Sequence, residues 1–198
     1  ENVLPPIRGP FWNYRHRARL TVRDVAKKGG VLVGFHEKAS SYVCDMHACP
    51  ILTQNVSDMI DPLRELISVL DMRQRMPQIE VAGGDGRTAL VFRHLDPVSP
   101  EDMEKLLAFG RAHGADIWLQ PKGPETAHAV NPEDEKKLGL ELTEFGVRIA
   151  FKPTDFTQVN HALNETMVGR AVRLLGLEPD HKVADFFCGL GNFTLPLP

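Results

Sequence analysis

Residues 156–198 place the tightest limits on what this chain can fold into. Lys182-Val183-Ala184-Asp185-Phe186-Phe187 reads as a short buried strand, and Gly189-Leu190-Gly191 as a turn whose missing Cβ atoms let backbone approach a ligand closely. Upstream, Val159, Leu163, Met167, Ala171, Leu174 and Leu175 form an apolar stripe at helical spacing, opened by Asn160 or Asn164 and closed by Gly176. A second helix should follow the glycine turn. The sequence ends at Pro198 instead, so the chain is expected to be a piece of a larger protein with one wall of a nucleotide-type site built.

The preceding residues have a different character. Residues 1–11 are rich in proline and suit a linker. From Trp12 to Val22 the pattern alternates: Arg15, Arg17 and Arg19 share one face of a strand, and Tyr14, Ala18, Leu20 and Val22 the other. Lys27-Lys28-Gly29-Gly30 predicts a turn, with residues 31–35 returning as a hairpin partner and residues 41–43 extending the meander. Val56, Ile60, Leu63, Ile67 and Leu70 predict a helix in which Pro62 marks a kink or a late start. Strands 78–82 and 88–93 flank Gly83-Gly84-Asp85-Gly86, a hairpin signature, and Ser99-Pro100-Glu101-Asp102 opens a second helix with cap, proline and dipole-complementing acids. A strand over 116–120 and a hairpin over 138–151 complete residues 12–155. This is an α+β domain: an antiparallel sheet with two helices, covered on one side.

Charge is uneven. The net charge is -3, yet the first fifty residues carry eight Lys or Arg against four acids, so a polyanion would meet the N-terminal part. Three arginines in a strand row beside Lys27, Lys28 and Lys38 can track phosphates, as well as form an ordinary solvated face. The three cysteines, Cys44, Cys49 and Cys188, are an odd number in a chain without secretory features and argue against a disulfide framework. Cys44 and Cys49, with His36 and His47 nearby, invite a metal reading, but a lone C-x4-C is a weak zinc signal and inert thiols are the simpler account. No apolar run approaches a membrane span, and a cytoplasmic setting is expected.

Helix, strand and glycine turn in that order open a Rossmann-like domain that binds S-adenosylmethionine or a dinucleotide. Thr194 stands where a full G-x-G-x-x-G has its third glycine, and Asp185 would repel a pyrophosphate while attracting an ammonium or sulfonium. Both favour S-adenosylmethionine. A strand–helix turn with no ligand is the bland alternative.

Two blocks, residues 155–160 (Asp-Phe-Thr-Gln-Val-Asn) and residues 185–196 (Asp-Phe-Phe-Cys-Gly-Leu-Gly-Asn-Phe-Thr-Leu-Pro), resemble the cofactor region of the RNA uracil-5-methyltransferases. The closest likeness is to the type that makes 5-methyluridine in 23S ribosomal RNA. Residues 12–20 and Cys49-Pro50-Ile51-Leu52 resemble that type at its central domain. The resemblance implies a central α+β domain over 12–155, then the first helix and strand of an S-adenosylmethionine-dependent methyltransferase domain over 156–198. It implies cofactor contacts at Gln158, Phe187 and Asn192, with Asp185, Gly189 and Gly191 in the same motif. Cys49 matches one of four cysteines that hold a [4Fe-4S] cluster, and Arg15, Arg17 and Arg19 would hold RNA backbone.

In that family a thiolate adds to uracil C6, the enolate takes the methyl group at C5, and a base removes the C5 proton before the thiol leaves. The nucleophile, the base and the other cluster cysteines have no counterpart in residues 1–198, so this polypeptide is expected to be inactive alone and the intact protein to be a monomeric enzyme. Two rivals are a nicotinamide-dependent oxidoreductase and a non-catalytic RNA-binding module.

Overall fold

The computed structural model describes residues 3–136 and 138–197, with Lys136 described by its backbone alone. Among the described residues, eight strands and four α-helices run in the order β1 (Arg17–Val25), β2 (Gly30–Gly34), α1 (Gln54–Asp58), α2 (Ile60–Ser68), β3 (Gln78–Gly84), β4 (Arg87–Arg93), α3 (Pro100–His113), β5 (Ala115–Gln120), β6 (His128–Ala129), β7 (Gly139–Leu142), β8 (Val147–Ala150) and α4 (His161–Leu175). β1 to β6 form one sheet in the order β2-β1-β3-β4-β5-β6, and β7 and β8 form a separate hairpin.

Alternation along β1 decides which face is inside: Ala18, Leu20 and Val22 are buried, and their neighbours in register on β3 and β4 include the buried Ile79, Val81, Leu90 and Phe92. This inner face packs on Ile60, Leu63 and Ile67 of α2 and Leu106 and Phe109 of α3. Ser99 caps α3 by accepting from the Asp102 amide, and that buried carboxylate accepts from the amides of Asp71 and Met72, which ties α3 to the end of the preceding helical segment. Pro62 lies in the first turn of α2, where its missing N–H costs nothing, and the chain breaks at Met59.

Two expectations need correction. The sheet is mixed, because β4 and β5 run parallel with α3 as the crossover between them. Hairpin signals say nothing about a strand reached through a helix, so this pairing was invisible in the local pattern. The strand expected over residues 182–187 is not formed; Phe186 and Phe187 are exposed and the backbone there is irregular. A strand is stable only where its amides and carbonyls find a neighbour, and none among the described residues lies beside it. Residues 41–43 contribute one isolated bridge, His36 to Val43.

The outer face of the sheet is divided. Ala82, Ala89, Val91 and Trp118 at one end are covered by Leu138, Leu140 and Phe151 around the β7–β8 hairpin. Gly84 permits this: a Cβ there would collide with the Gly139 carbonyl and the Phe151 ring. α4 then packs Val168 and Val172 on Leu142 and Ile149 of the same hairpin. Its N-terminus is capped by Asn160, whose side chain accepts from the Leu163 amide, and its C-terminus ends in the left-handed Gly176. His16, just ahead of β1, links β3 to the segment that leads into α4: its amide donates to the Val159 carbonyl at 2.9 Å, and its carbonyl accepts from the Gly83 amide at 2.8 Å. Residues 3–11 run without regular structure, and the Pro5 carbonyl accepts from Arg170 of α4.

Candidate cofactor and nucleic-acid site

Three separate pieces of chain converge on a cavity of about 370 Å³: Leu140 and Ile149 from the hairpin, residues 155–158 ahead of α4, and the turn over residues 187–193. Leu190, between the two glycines, is the anchor of that turn. It is half-buried against both the cluster under the hairpin and the cluster of Val168 and Val172 on α4. Gly191 at φ +87° closes the turn in a backbone region that L side chains rarely adopt. Phe187 takes φ +63° with its ring fully exposed, an uncommon state for an aromatic residue.

Asn192 is fixed by a partner that the sequence pattern offered only as a helix opener. Its amide forms a reciprocal pair with Asn164 of α4, each Nδ2 donating to the other's Oδ1 at 2.8 Å. Asn164 is 2% exposed. A second asparagine in the first turn of α4, beside the apolar stripe, was the available signal, because burying an amide is costly unless it is fully bonded. Across the cavity Gln158 is half-buried and makes no side-chain hydrogen bond among the described residues. Thr157 beside it is 7% exposed with its Oγ1 unpartnered.

Of the residues singled out for the cofactor, Gln158, Phe187, Gly189 and Asn192 thus line one cavity. Asp185 and Gly191 stand behind it. Asp185 Oδ2 accepts from Thr194 Oγ1 at 2.6 Å, so its carboxylate braces the turn instead of facing the cavity. The walls are largely apolar, with aromatic rings at Phe156, Phe187 and Phe193 and one free amide at Gln158. A flat heteroaromatic ring beside a short polar chain matches that lining. The buried Thr157 Oγ1, which has no partner, is the observation that fits such a ligand, since an unbonded buried polar atom calls for one, and the accessible Gln158 amide beside it adds a second polar contact.

A second concavity of about 380 Å³ adjoins the first and shares Phe156 and Thr157 with it. Arg15, Arg17 and Arg19 all line it, as the strand alternation predicted. They are not equivalent. Arg19 is exposed and pairs with Glu80 at 2.9 Å. Arg17 is half-buried and donates to the Pro153 carbonyl at 2.6 Å; burial pulls its pKa down, with Glu80 and Asp155 opposing that, and a guanidinium remains charged. Arg15 lies 5.8 Å from the Phe35 ring centroid, and its Nε is buried without a partner. Phe156, 80% exposed, stands between the two concavities.

Beneath this junction the His16 and His161 rings stack at 4.0 Å. Burial, and secondarily the neighbouring His16, lower the His161 pKa to about 4, and burial lowers that of His16. Both rings are neutral at pH 7 and serve as packing.

Cys49 is buried, its amide donating to Ser57 Oγ, while Cys44 and Cys188 are exposed. His47 bonds to Asp61 and His36 to Thr21, and no group of three or more metal-ligating side chains occurs among the described residues. One buried thiol is a quarter of the ligand set a [4Fe-4S] cluster needs. No helix among the described residues is long and apolar enough to cross a membrane.

No protein-family model matches the chain. It is 55% identical over 197 residues to the 23S rRNA (uracil(1939)-C(5))-methyltransferase RlmD of Bordetella avium, aligning 100% of this chain with 41% of that protein. Against the RlmD of Cupriavidus necator the identity is 58% over 195 residues, covering 98% of this chain and 44% of the relative. Against that of Burkholderia ambifaria it is 58% over 197 residues, covering 100% and 42%. Among solved structures, the Pyrococcus abyssi tRNA (uracil-54, C5)-methyltransferase, determined in complex with S-adenosyl-L-homocysteine, shares the fold. The TM-score is 0.68 at 17% identity, over 95% of this chain and 47% of that one. The chain spans less than half the length of the relatives it matches. Along its whole length, the chain is similar at 55–58% identity to the part of these RlmD proteins that it spans.

Proposed function

We infer that this chain is part of an S-adenosylmethionine-dependent methyltransferase forming 5-methyluridine in 23S ribosomal RNA. The single observation that carries the reading is the cavity in which Gln158 and Asn192, distant in sequence, meet beside an arginine-lined concavity. Identity above half to the RlmD proteins supports the reaction and the RNA class.

In this reading residues 12–155 are the RNA-contacting domain and residues 156–198 open the methyltransferase domain. The cofactor supplies the methyl group. Gln158 offers it an amide, Phe187 an apolar wall, and Gly189 a close backbone approach, while Asn192 is held rigid by Asn164. Asp185 and Gly191 shape the turn from behind. Arg15, Arg17 and Arg19 bind phosphodiester oxygens so that a uridine turned out of its stack reaches the cavity mouth. Cys49 provides one ligand of a [4Fe-4S] cluster whose other ligands are not among these residues. The assembled protein acts as a cytoplasmic monomer.

The test uses the intact protein that contains this segment. Calorimetric titration with S-adenosylmethionine and with NAD, followed by transfer of labelled methyl to transcribed 23S rRNA, should give binding of the first ligand and label on uridine C5. Preference for NAD, or no label in the RNA, would overturn the assignment.

A further inference from the structure

The half of the outer sheet face away from the β7–β8 hairpin, half-buried along most of its length and buried at Gln120, is an unassigned surface. Strand register places Thr21, Gln78, Arg93 and Gln120 side by side across β1, β3, β4 and β5, with Arg19 and Glu80 in the adjacent row. Their neighbours along each strand, Leu20, Ile79, Phe92 and Leu119, are buried in the helix-facing core, so the row itself points outward. Arg19, Gln78, Glu80, Arg93, Gln120 and Lys122 line a shallow concavity of about 220 Å³ there.

Its charge is lopsided. Glu80 already takes Arg19 at 2.9 Å and the Gln78 amide at 2.8 Å, and the Gln120 amide donates to the Lys122 carbonyl at 3.1 Å. Glu125, over Gly123, is the other acid beside this rim. Arg93 has no such partner: its guanidinium is half-buried, Nε is inaccessible and unbonded, and no ion pair reaches it among the described residues. A cation held partly out of water without an anion is an incomplete arrangement. The concavity shares Arg19 with the one lined by Arg15 and Arg17, so cations continue from the cavity mouth across the sheet. At the usual strand spacing, Arg93 sits roughly 10 Å from the β1 row.

We propose that this face is a second RNA-binding surface, in which Arg93 and Lys122 hold phosphodiester oxygens of nucleotides flanking the one offered to the cavity. It rests on the methyltransferase reading and adds the path the strand takes. Each glutamine amide already spends one N–H within the protein, and the two cations address phosphate oxygens, so the contact is to backbone and carries no base preference.

The experiment compares the intact wild-type protein with Arg93→Gln, Lys122→Gln, the double variant, and Arg93→Lys as a charge-keeping control. The probe is a transcribed 23S rRNA fragment at several salt concentrations. The double variant should bind roughly tenfold more weakly near 0.1 M salt, with a log–log salt slope shallower by about 1.5, since each released contact removes about 0.7–0.9. KM for RNA should rise with kcat and S-adenosylmethionine affinity unchanged, and Arg93→Lys should recover most of the loss. Wild-type RNA affinity and salt slope in the folded double variant would overturn the surface while leaving the enzyme reading intact. RNA binding that depends on Arg93 and Lys122 without any methyl transfer would keep the surface and sink the enzyme. Loss of binding to phosphatidylserine vesicles with RNA affinity unaltered would reassign the face to a membrane and refute the proposal.

Discussion

Replacing Asn164 with leucine tests whether α4 controls the cavity. The substitution keeps the branched shape and heavy-atom count of asparagine, with bulkier methyl ends, and removes both amide bonds to Asn192, which lie at 2.8 Å. Each neutral hydrogen bond contributes about 0.5–1.5 kcal/mol net, so the pair is worth roughly 1–3 kcal/mol. Asn192 is only half-buried and can turn to water, which places the loss at about 1–2 kcal/mol. That turn releases the loop over residues 187–193, whose other anchor is Leu190. In the intact protein the melting temperature should fall by roughly 2–8 °C, at about 2–4 °C per kcal/mol for a domain of this size. Affinity for S-adenosylmethionine, read by calorimetry, should drop about 5- to 30-fold on the scale of tenfold per 1.4 kcal/mol. A double-mutant cycle with Asn192→Ala isolates the pair, and a coupling above about 0.5 kcal/mol is expected for residues in direct contact. Additive effects, or undiminished cofactor affinity in a destabilised Asn164→Leu protein, would refute the claim that this pair shapes the site.

Acid should act through the stacked histidines. The His161 pKa is about 4 in the fold against 6.5 unfolded, so between those values the unfolded chain takes up a proton the folded one does not. Stability should therefore fall as pH drops from about 6.5 toward 4 and be insensitive to this group above that window. His161→Gln should flatten the melting temperature against pH there, and an unchanged slope would count against it. Phe187→Ala should leave stability within about 0.5 kcal/mol, because the ring is fully exposed, while lowering S-adenosylmethionine affinity; equal affinity would remove Phe187 from the site. In the intact protein Cys49→Ser should reduce bound iron and acid-labile sulfide, and wild-type iron content would exclude Cys49 as a ligand.

Much of the architecture follows from short-range chemistry. Ser99 and Pro100 start α3, Asn160 and Gly176 bound α4, and Gly83-Gly84-Asp85-Gly86 joins β3 to β4, because caps and turns satisfy backbone groups within a few residues. The arginine row on β1 follows from the two-residue period of a strand and needs no knowledge of the rest of the fold. The grouping of Gln158, Phe187, Gly189 and Asn192 was reached through family likeness, and the turn's local pattern could not have shown that they share a cavity.

Long-range partners settled the remainder. β4 and β5 are parallel because α3 carries the chain back across the sheet. Residues 182–187 have a strand's composition and no strand beside them, so composition there does not become structure. Asp185 faces Thr194, and Asn192 faces Asn164, although charge and family likeness pointed these side chains toward a ligand. Such choices depend on which polar group is within about 3 Å after packing, a distance set by the β7–β8 hairpin and α4 together.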